Sequence, residues 1–331
     1  MTPQVSIIMP CWNAATTLDE AIQSIISQSF EDWELVAVDD GSTDETLGML
    51  ESWGGRDPRI RVKAMAHKGI VPALQRCCSE ARGAFWARMD ADDICMSDRL
   101  EKQLTLLEDE APMTLCGTQV ETVGDNVQSG RRRYDDWLNS LITHEAMVRE
   151  RFIECPIAHP TFMASRECFE TIGYLDSGGP EDYDFVLRAH AAGVQFKKVP
   201  QKLVQWRDHP GRLCLNNGRY SPENFRTLKR EHLSDLLDHT DARFWQWGAG
   251  EVGKVWLREW EAHRPESVVD INPRKFGQRI HGYLIVPPAD LPPPGEVVVA
   301  IAVGAPGARI ELRQWFKVRG YRETIDYWFV A

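Results

Sequence analysis

The mainly apolar run Ala84 to Met89 gives way to Asp90-Ala91-Asp92-Asp93, an abrupt acidic end. Carboxylates at i and i+2 beyond a strand can reach one hard cation and a neighbouring ribose hydroxyl. Magnesium or manganese takes one or two such oxygens and completes its shell with substrate phosphates. The same spacing also suits an acidic turn in solvent, so neighbouring motifs must decide. A second acidic end, Asp39-Asp40-Gly41-Ser42, closes the run Leu35 to Val38. A third candidate lies far downstream, where Gly248-x-Gly250-x-x-Gly253 follows the run Phe244 to Trp247 and has Asp270 about twenty residues past its middle glycine. That is the context of a dinucleotide fingerprint, in which glycines let a backbone turn approach phosphates.

Groups of this kind need a scaffold that ends several strands at one place. The first hundred residues alternate strand and helix signals, which points to a parallel sheet covered by helices. Strands are expected at Val5 to Met9, Leu35 to Val38, Ile60 to Met65 and Ala84 to Met89. Between them, Leu18, Ile22, Ile25 and Ile26 form one helical stripe, with Thr17 and Glu20 spaced as a capping box and Ser42 and Glu45 as a second cap. Ligands in open parallel sheets sit beyond the carboxyl ends of the strands, so both acidic ends should face one crevice. A helix from Arg99 to Glu110 and a strand near Leu115 to Val120 follow. Residues 124 to 136 read as a solvated loop or an acceptor-facing lid, and Glu154 to His209 as an active-site half built from loops. The alternation restarts near residue 240 with strands at Phe244 to Trp247, Val268 to Asp270, Val297 to Val303 and Tyr327 to Val330. The expected division is a domain of residues 1–240 and a small Rossmann-like α/β module of residues 241–331.

The whole chain narrows the function classes. A length of 331 residues suits two domains, and 43% hydrophobic with 26% charged residues is ordinary for a globular protein. A net charge of -11 argues against a general nucleic-acid binder, which needs a basic path along the phosphates. It is compatible with a diphosphate held through a divalent cation. The N-terminus shows no basic segment leading into a long apolar stretch, and no window reaches the ~18 apolar residues of a membrane span. A cytoplasmic protein is the expectation, with docking at the inner membrane face and a homo-oligomer both allowed. The eight cysteines form no C-x-x-C pair and read as reduced, mostly buried thiols.

Further motifs stand in a fixed order around the acidic ends. They are Pro10-Cys11-Trp12-Asn13, Val38 to Glu45, Gly83, the D-A-D-D turn, Arg99-Leu100 with Gln103, and His159-Pro160. Then come Gly173-Tyr174, Glu181-Asp182-Tyr183-Asp184, Arg188, and Trp206-Arg207-Asp208-His209. Over about residues 4 to 215 this string resembles the family 2 glycosyltransferases of the GT-A fold, a Rossmann-like mixed α/β sheet that binds nucleotide-diphosphate sugars. The resemblance implies an inverting, metal-dependent transfer from a nucleotide-sugar donor, with UDP the expected nucleotide, to a hydroxyl of a carbohydrate or lipid-linked glycan acceptor.

The same resemblance implies the roles. Asp39 would accept from the base edge, with Asp40 beside it and Pro10 and Asn13 shaping the pocket. Asp90 would contact the ribose, Asp92 would ligate magnesium or manganese, and His209 would reach back to the metal or diphosphate. His159 would flank the donor sugar. Asp182 would be the general base and Glu181 would help hold the acceptor. Departures from the family pattern, among them Phe185-Val186 where a tryptophan is usual and Arg212-Leu213 where small residues are usual, bear on the sugar and acceptor.

Other classes fit less well. A nucleotidyltransferase needs a glycine-rich basic signature after the first strand, which Pro10 to Asn13 does not supply. An oxidoreductase led by the downstream fingerprint needs a catalytic set after it, and none is evident. A non-catalytic sugar-nucleotide binder has no use for a base such as Asp182. A bifunctional chain, in which Gly248, Gly250, Gly253 and Asp270 bind a second nucleotide, stays open beside a docking role for that module.

Overall fold

The computed structural model describes residues 2–125 and 127–331. The chain divides into two compact units, residues 1–147 with 155–221, and residues 148–154 with 222–331.

The first unit is built on eight strands: β1 (Val5–Cys11), β2 (Trp33–Asp40), β3 (Ile60–Met65), β4 (Phe85–Arg88), β5 (Ile94–Cys95), β6 (Thr114–Val123), β7 (Met163–Ser165) and β8 (Gln195–Arg207). Their order in the sheet is β3-β2-β1-β4-β7-β6-β8-β5. Every residue of β1 and β2 is buried, as expected for central parallel strands covered on both faces. β1 pairs in parallel with β2 and β4, in a register that sets Cys11 opposite Asp39 and Ile8 opposite Arg88. The two acidic ends therefore leave the sheet on either side of the end of β1. β7 runs antiparallel to β4 and β6, which makes the sheet mixed.

Helix Leu18–Ile26 buries Leu18, Ile22 and Ile25 of the expected stripe together with Ala21, while Ile26 is half-buried at the edge of the core. Its capping box does not form. The Thr17 hydroxyl donates instead to the carbonyls of Ala14 and of Ala91, and so ties this helix to the D-A-D-D turn. The second cap differs too: helix Thr46–Arg56 starts later, and Asp44 accepts from the N–H and hydroxyl of Thr46.

Two segments expected as loops are ordered. Ser129–Ser140 is a helix, because Leu138 packs with Val120 and Val204 while Asp135 accepts from the N–H and hydroxyl of Thr122. Its abundant charges hid that one buried face. The stretch 154–209 holds helix Glu181–Ala191 and the thirteen-residue strand β8, besides loops.

The second unit carries β9 (Arg243–Trp247), β10 (Val268–Val269), β11 (Arg279–Ile280), β12 (Tyr283–Val286), β13 (Val297–Ile301) and β14 (Tyr327–Phe329), ordered β11-β12-β10-β9-β13-β14. Helix Pro222–Leu237, which the sequence placed in the first domain, belongs here. Arg226 forks onto the Glu259 carboxylate at 2.8 to 3.0 Å, and the Lys229 ammonium donates to the carbonyls of Ile153 and Val330. These long-range polar bonds leave no periodic trace in the sequence.

Candidate active site

Strand ends supply the first groups. Asp39 is 1% exposed, and its Oδ2 accepts the Ser42 N–H at 3.1 Å while the buried Oδ1 has no partner among the described residues. A buried carboxylate oxygen without a donor is costly, so Asp39 offers an acceptor to a ligand N–H. Asp40 faces a different task. Its carboxylate accepts the N–H groups of Lys68 and Gly69, both at 2.8 Å, and lies 2.9 Å from His67 Nδ1. It anchors the 67–69 turn, whose His67 ring stacks on Trp12 at 4.8 Å between centroids. Asn13 accepts the Thr43 N–H and gives its own N–H to the Ser42 hydroxyl, tying the ends of β1 and β2 together. Pro10, Trp12, Asp40 and His67 line a cavity of about 140 Å³.

The acidic turn after β4 gathers three carboxylates. One oxygen from each of Asp90, Asp92 and Asp93 falls within 4.8 Å of the others. Asp93 is 1% exposed; its Oδ1 accepts the Arg207 N–H at 2.8 Å, and its Oδ2 has no partner among the described residues. Burial, then the charges of Asp90 and Asp92, push the Asp93 carboxyl well up. Burial also raises Asp90, against the pull of Arg88. A trio of hard oxygens that repel one another, one of them buried and unpaired, fits a small divalent cation. Arg88, 2% exposed, is ion-paired with Asp90. His209 places Nε2 2.9 Å from Asp92 Oδ2, and Arg207 bonds the Asp92 carbonyl. His209 thus braces Asp92; the three-acid cluster does not include it.

Glu181 and Asp182 open helix Glu181–Ala191, where the helix dipole favours negative charge. The Asp182 Oδ1 accepts the Tyr183 N–H at 2.8 Å. Glu181 is buried; burial, then the charge of Asp182, push its carboxyl up to about 7, although Tyr220 donates to it. His159 Nδ1 lies 3.6 Å from Glu181 Oε1, and its Nε2 lies 2.9 Å from the Tyr174 hydroxyl. Burial, then the charge of Arg88, hold His159 neutral. Arg188 bonds Asp184 and the Gly173 carbonyl, which fixes the helix in place.

These groups meet. Asp90, Asp92, His159, Glu181, Asp182, Arg88, Trp206 and Tyr220 line one cavity of about 120 Å³. Leu213 lines this cavity and also the one beside Trp12, so it forms a wall common to both. Gly248, Gly250, Gly253 and Asp270 belong to the second unit. Sequence reasoning missed Arg88 and Tyr220. An arginine inside an apolar strand run was a signal for the first; Tyr220 stands 39 residues from Glu181 with no motif around it.

Residues 6–173 match the family described as Glycosyl transferase family 2. The chain belongs to that family. An uncharacterized glycosyltransferase of Haemophilus influenzae is 30% identical over 244 residues, which covers 71% of this chain and 75% of that protein. The chondroitin synthase of Escherichia coli is 28% identical over 236 residues, 71% of this chain but 33% of the synthase. Two solved structures share the fold. Staphylococcus aureus TarS residues 1–349, in complex with UDP-GlcNAc, aligns with a TM-score of 0.57 at 19% identity, over 71% of this chain and 67% of that one. The mannosyltransferase PcManGT of Pyrobaculum calidifontis, in complex with GDP-Man and Mn2+, gives 0.51 at 19% identity, over 73% and 66%. The transferase therefore carries a GT-A sheet in its first unit, and no helix among its described residues is long and apolar enough to cross a membrane.

Proposed function

We propose that this glycosyltransferase moves a sugar, with inversion, from a UDP-sugar to a glycan hydroxyl in the assembly of a cell-surface polysaccharide. The observation that carries the reading is the meeting of Asp90 and Asp92 with Glu181 and Asp182 around one cavity. Asp39 would accept an N–H from the base, and Asp90 a ribose hydroxyl. Magnesium or manganese held at Asp90, Asp92 and Asp93 would offset the charge that builds on the departing nucleoside diphosphate. Asp182 takes the proton of the acceptor hydroxyl as its oxygen attacks the anomeric carbon. Adjacent carboxyls in unequal environments divide acid and base roles: Glu181, pushed up to about 7, holds a proton more readily and serves to seat the acceptor. One base and one displacement leave the sugar inverted.

The test is a panel of UDP- and GDP-sugars assayed with manganese and with chelator, the anomer of the product read by NMR. Turnover confined to UDP-sugars, dependent on the cation and giving the opposite anomer, supports the reading. Retention of configuration, or equal turnover in chelator, rejects it.

A further inference from the structure

A cavity of about 600 Å³ lies wholly in the second unit. We propose that it is a binding site for a nucleoside phosphate, with the phosphate on the backbone of Gly250 to Val252 and the base against the Trp247–Trp315 wall.

The topology selects the place. β12, β10, β9, β13 and β14 are all parallel neighbours, so five strands met along the chain as first to fifth stand in the order 3-2-1-4-5. The direction of winding reverses between β9 and β13, and the crevice beyond the ends of those two strands is the binding position of such sheets. Trp247 and Gly248 leave β9 there, and Ala302, Val303 and Gly304 leave β13; all five line the cavity. Its volume falls in the ~300–1,000 Å³ range of ligand pockets.

The three glycines divide their labour. A Cβ on Gly248, whose φ is +108°, would lie 2.6 Å from the Ala302 carbonyl oxygen, and one on Gly253 would lie 2.0 Å from the Gly248 carbonyl oxygen. The fold itself requires both. Gly250 is different: a Cβ there would meet nothing within 4 Å, and its φ of -79° is open to any residue. It borders the cavity and begins helix Glu251–Glu259 without a side-chain cap, which leaves first-turn N–H groups facing a ligand. Trp247, 3% exposed, adds an aromatic wall to the cavity. The Trp315 ring meets it edge to face at 4.7 Å, and Val303, Pro306 and Leu312 extend the apolar wall.

Asp270 restricts the ligand. In a dinucleotide fingerprint the acid after the second strand receives the ribose. Here Asp270 already accepts from the N–H groups of Ala249 and Asn272 and is ion-paired with Lys275 at 2.8 Å. The β10 side of the crevice is thereby occupied, with Lys275 as the cation at its edge, and one nucleotide fits where two do not. Glu311, which also lines the cavity, can receive a ribose hydroxyl.

The experiment titrates UDP, GDP, ADP, NAD and inorganic phosphate into the full chain, in chelator, by calorimetry and tryptophan fluorescence. Gly250→Leu projects into the open space and leaves the packing intact. One nucleoside phosphate should bind at a single site, at least tenfold more weakly to Gly250→Leu and to Trp315→Leu. The same event should persist in Asp39→Ala, which removes the proposed base acceptor of the transferase cleft and so separates the two sites. Equal titrations of wild type and both folded variants overturn the proposal. So do binding of inorganic phosphate as tight as any nucleotide, tighter binding of NAD than of the mononucleotides, or no binding at all.

Discussion

The Tyr220 hydroxyl sits 2.9 and 2.8 Å from the two carboxylate oxygens of Glu181, and among the described residues it is the side chain that bonds both. A shared donor favours the ionised form and so works against the burial that raises Glu181 to about 7. Tyr220→Phe should therefore raise the Glu181 pKa further. The alkaline limb of the kcat/KM profile, where Glu181 gives up its proton, should move to higher pH, with the maximum kept within about threefold. A profile superimposable on wild type separates Glu181 ionisation from turnover.

Asp92→Asn removes one charge from the acidic trio and the partner of His209. The fold should survive, because a half-exposed turn carboxylate buries little apolar surface. Donor affinity measured by calorimetry with manganese should fall by roughly 100-fold, while affinity in chelator stays the same. Unchanged affinity in the presence of manganese removes Asp92 from the metal site.

Asp182→Asn keeps the size and the Tyr183 N–H bond of the native residue but cannot take a proton. Turnover should drop by roughly 100-fold or more with donor affinity nearly constant. Near-native rates would shift the base role to Glu181.

Lys198 provides a test far from turnover. Its ammonium is buried and donates to the carbonyls of Leu138 and Pro156, and burial pushes it down to about 7. Between pH 7 and its ordinary value the unfolded chain binds the proton that the native chain has released. Stability should therefore rise with pH across that window, by up to ~1.4 kcal/mol per pH unit for one proton. Lys198→Met should lose this contribution, although it leaves two carbonyls unpaired and is less stable overall. Urea melts from pH 7 to 9.5 read the two slopes; equal slopes show that Lys198 stays charged.

Much of this was legible in the chain itself. Val5 to Met9 and Leu35 to Val38 are apolar without alternation because both faces of those strands are covered, so they and the acids that end them could be read as parallel strands. The ordered string from Pro10 to His209 likewise identified the family, since most of its motifs sit where one strand or helix begins or ends. Tertiary structure decided what local pattern does not encode. It turned Asp40 toward the 67–69 turn and engaged Asp270 with Lys275, although their neighbours in sequence suit ligand contacts equally well. Charge-rich 129–140 became a helix because a few side chains found partners on β6, and helix Pro222–Leu237 joined the second unit through Arg226 and Lys229. Periodicity and spacing report which residues share a face of one element. Which acid is left with an unpaired oxygen, as at Asp39 and Asp93, depends on donors that arrive from distant elements when the chain folds.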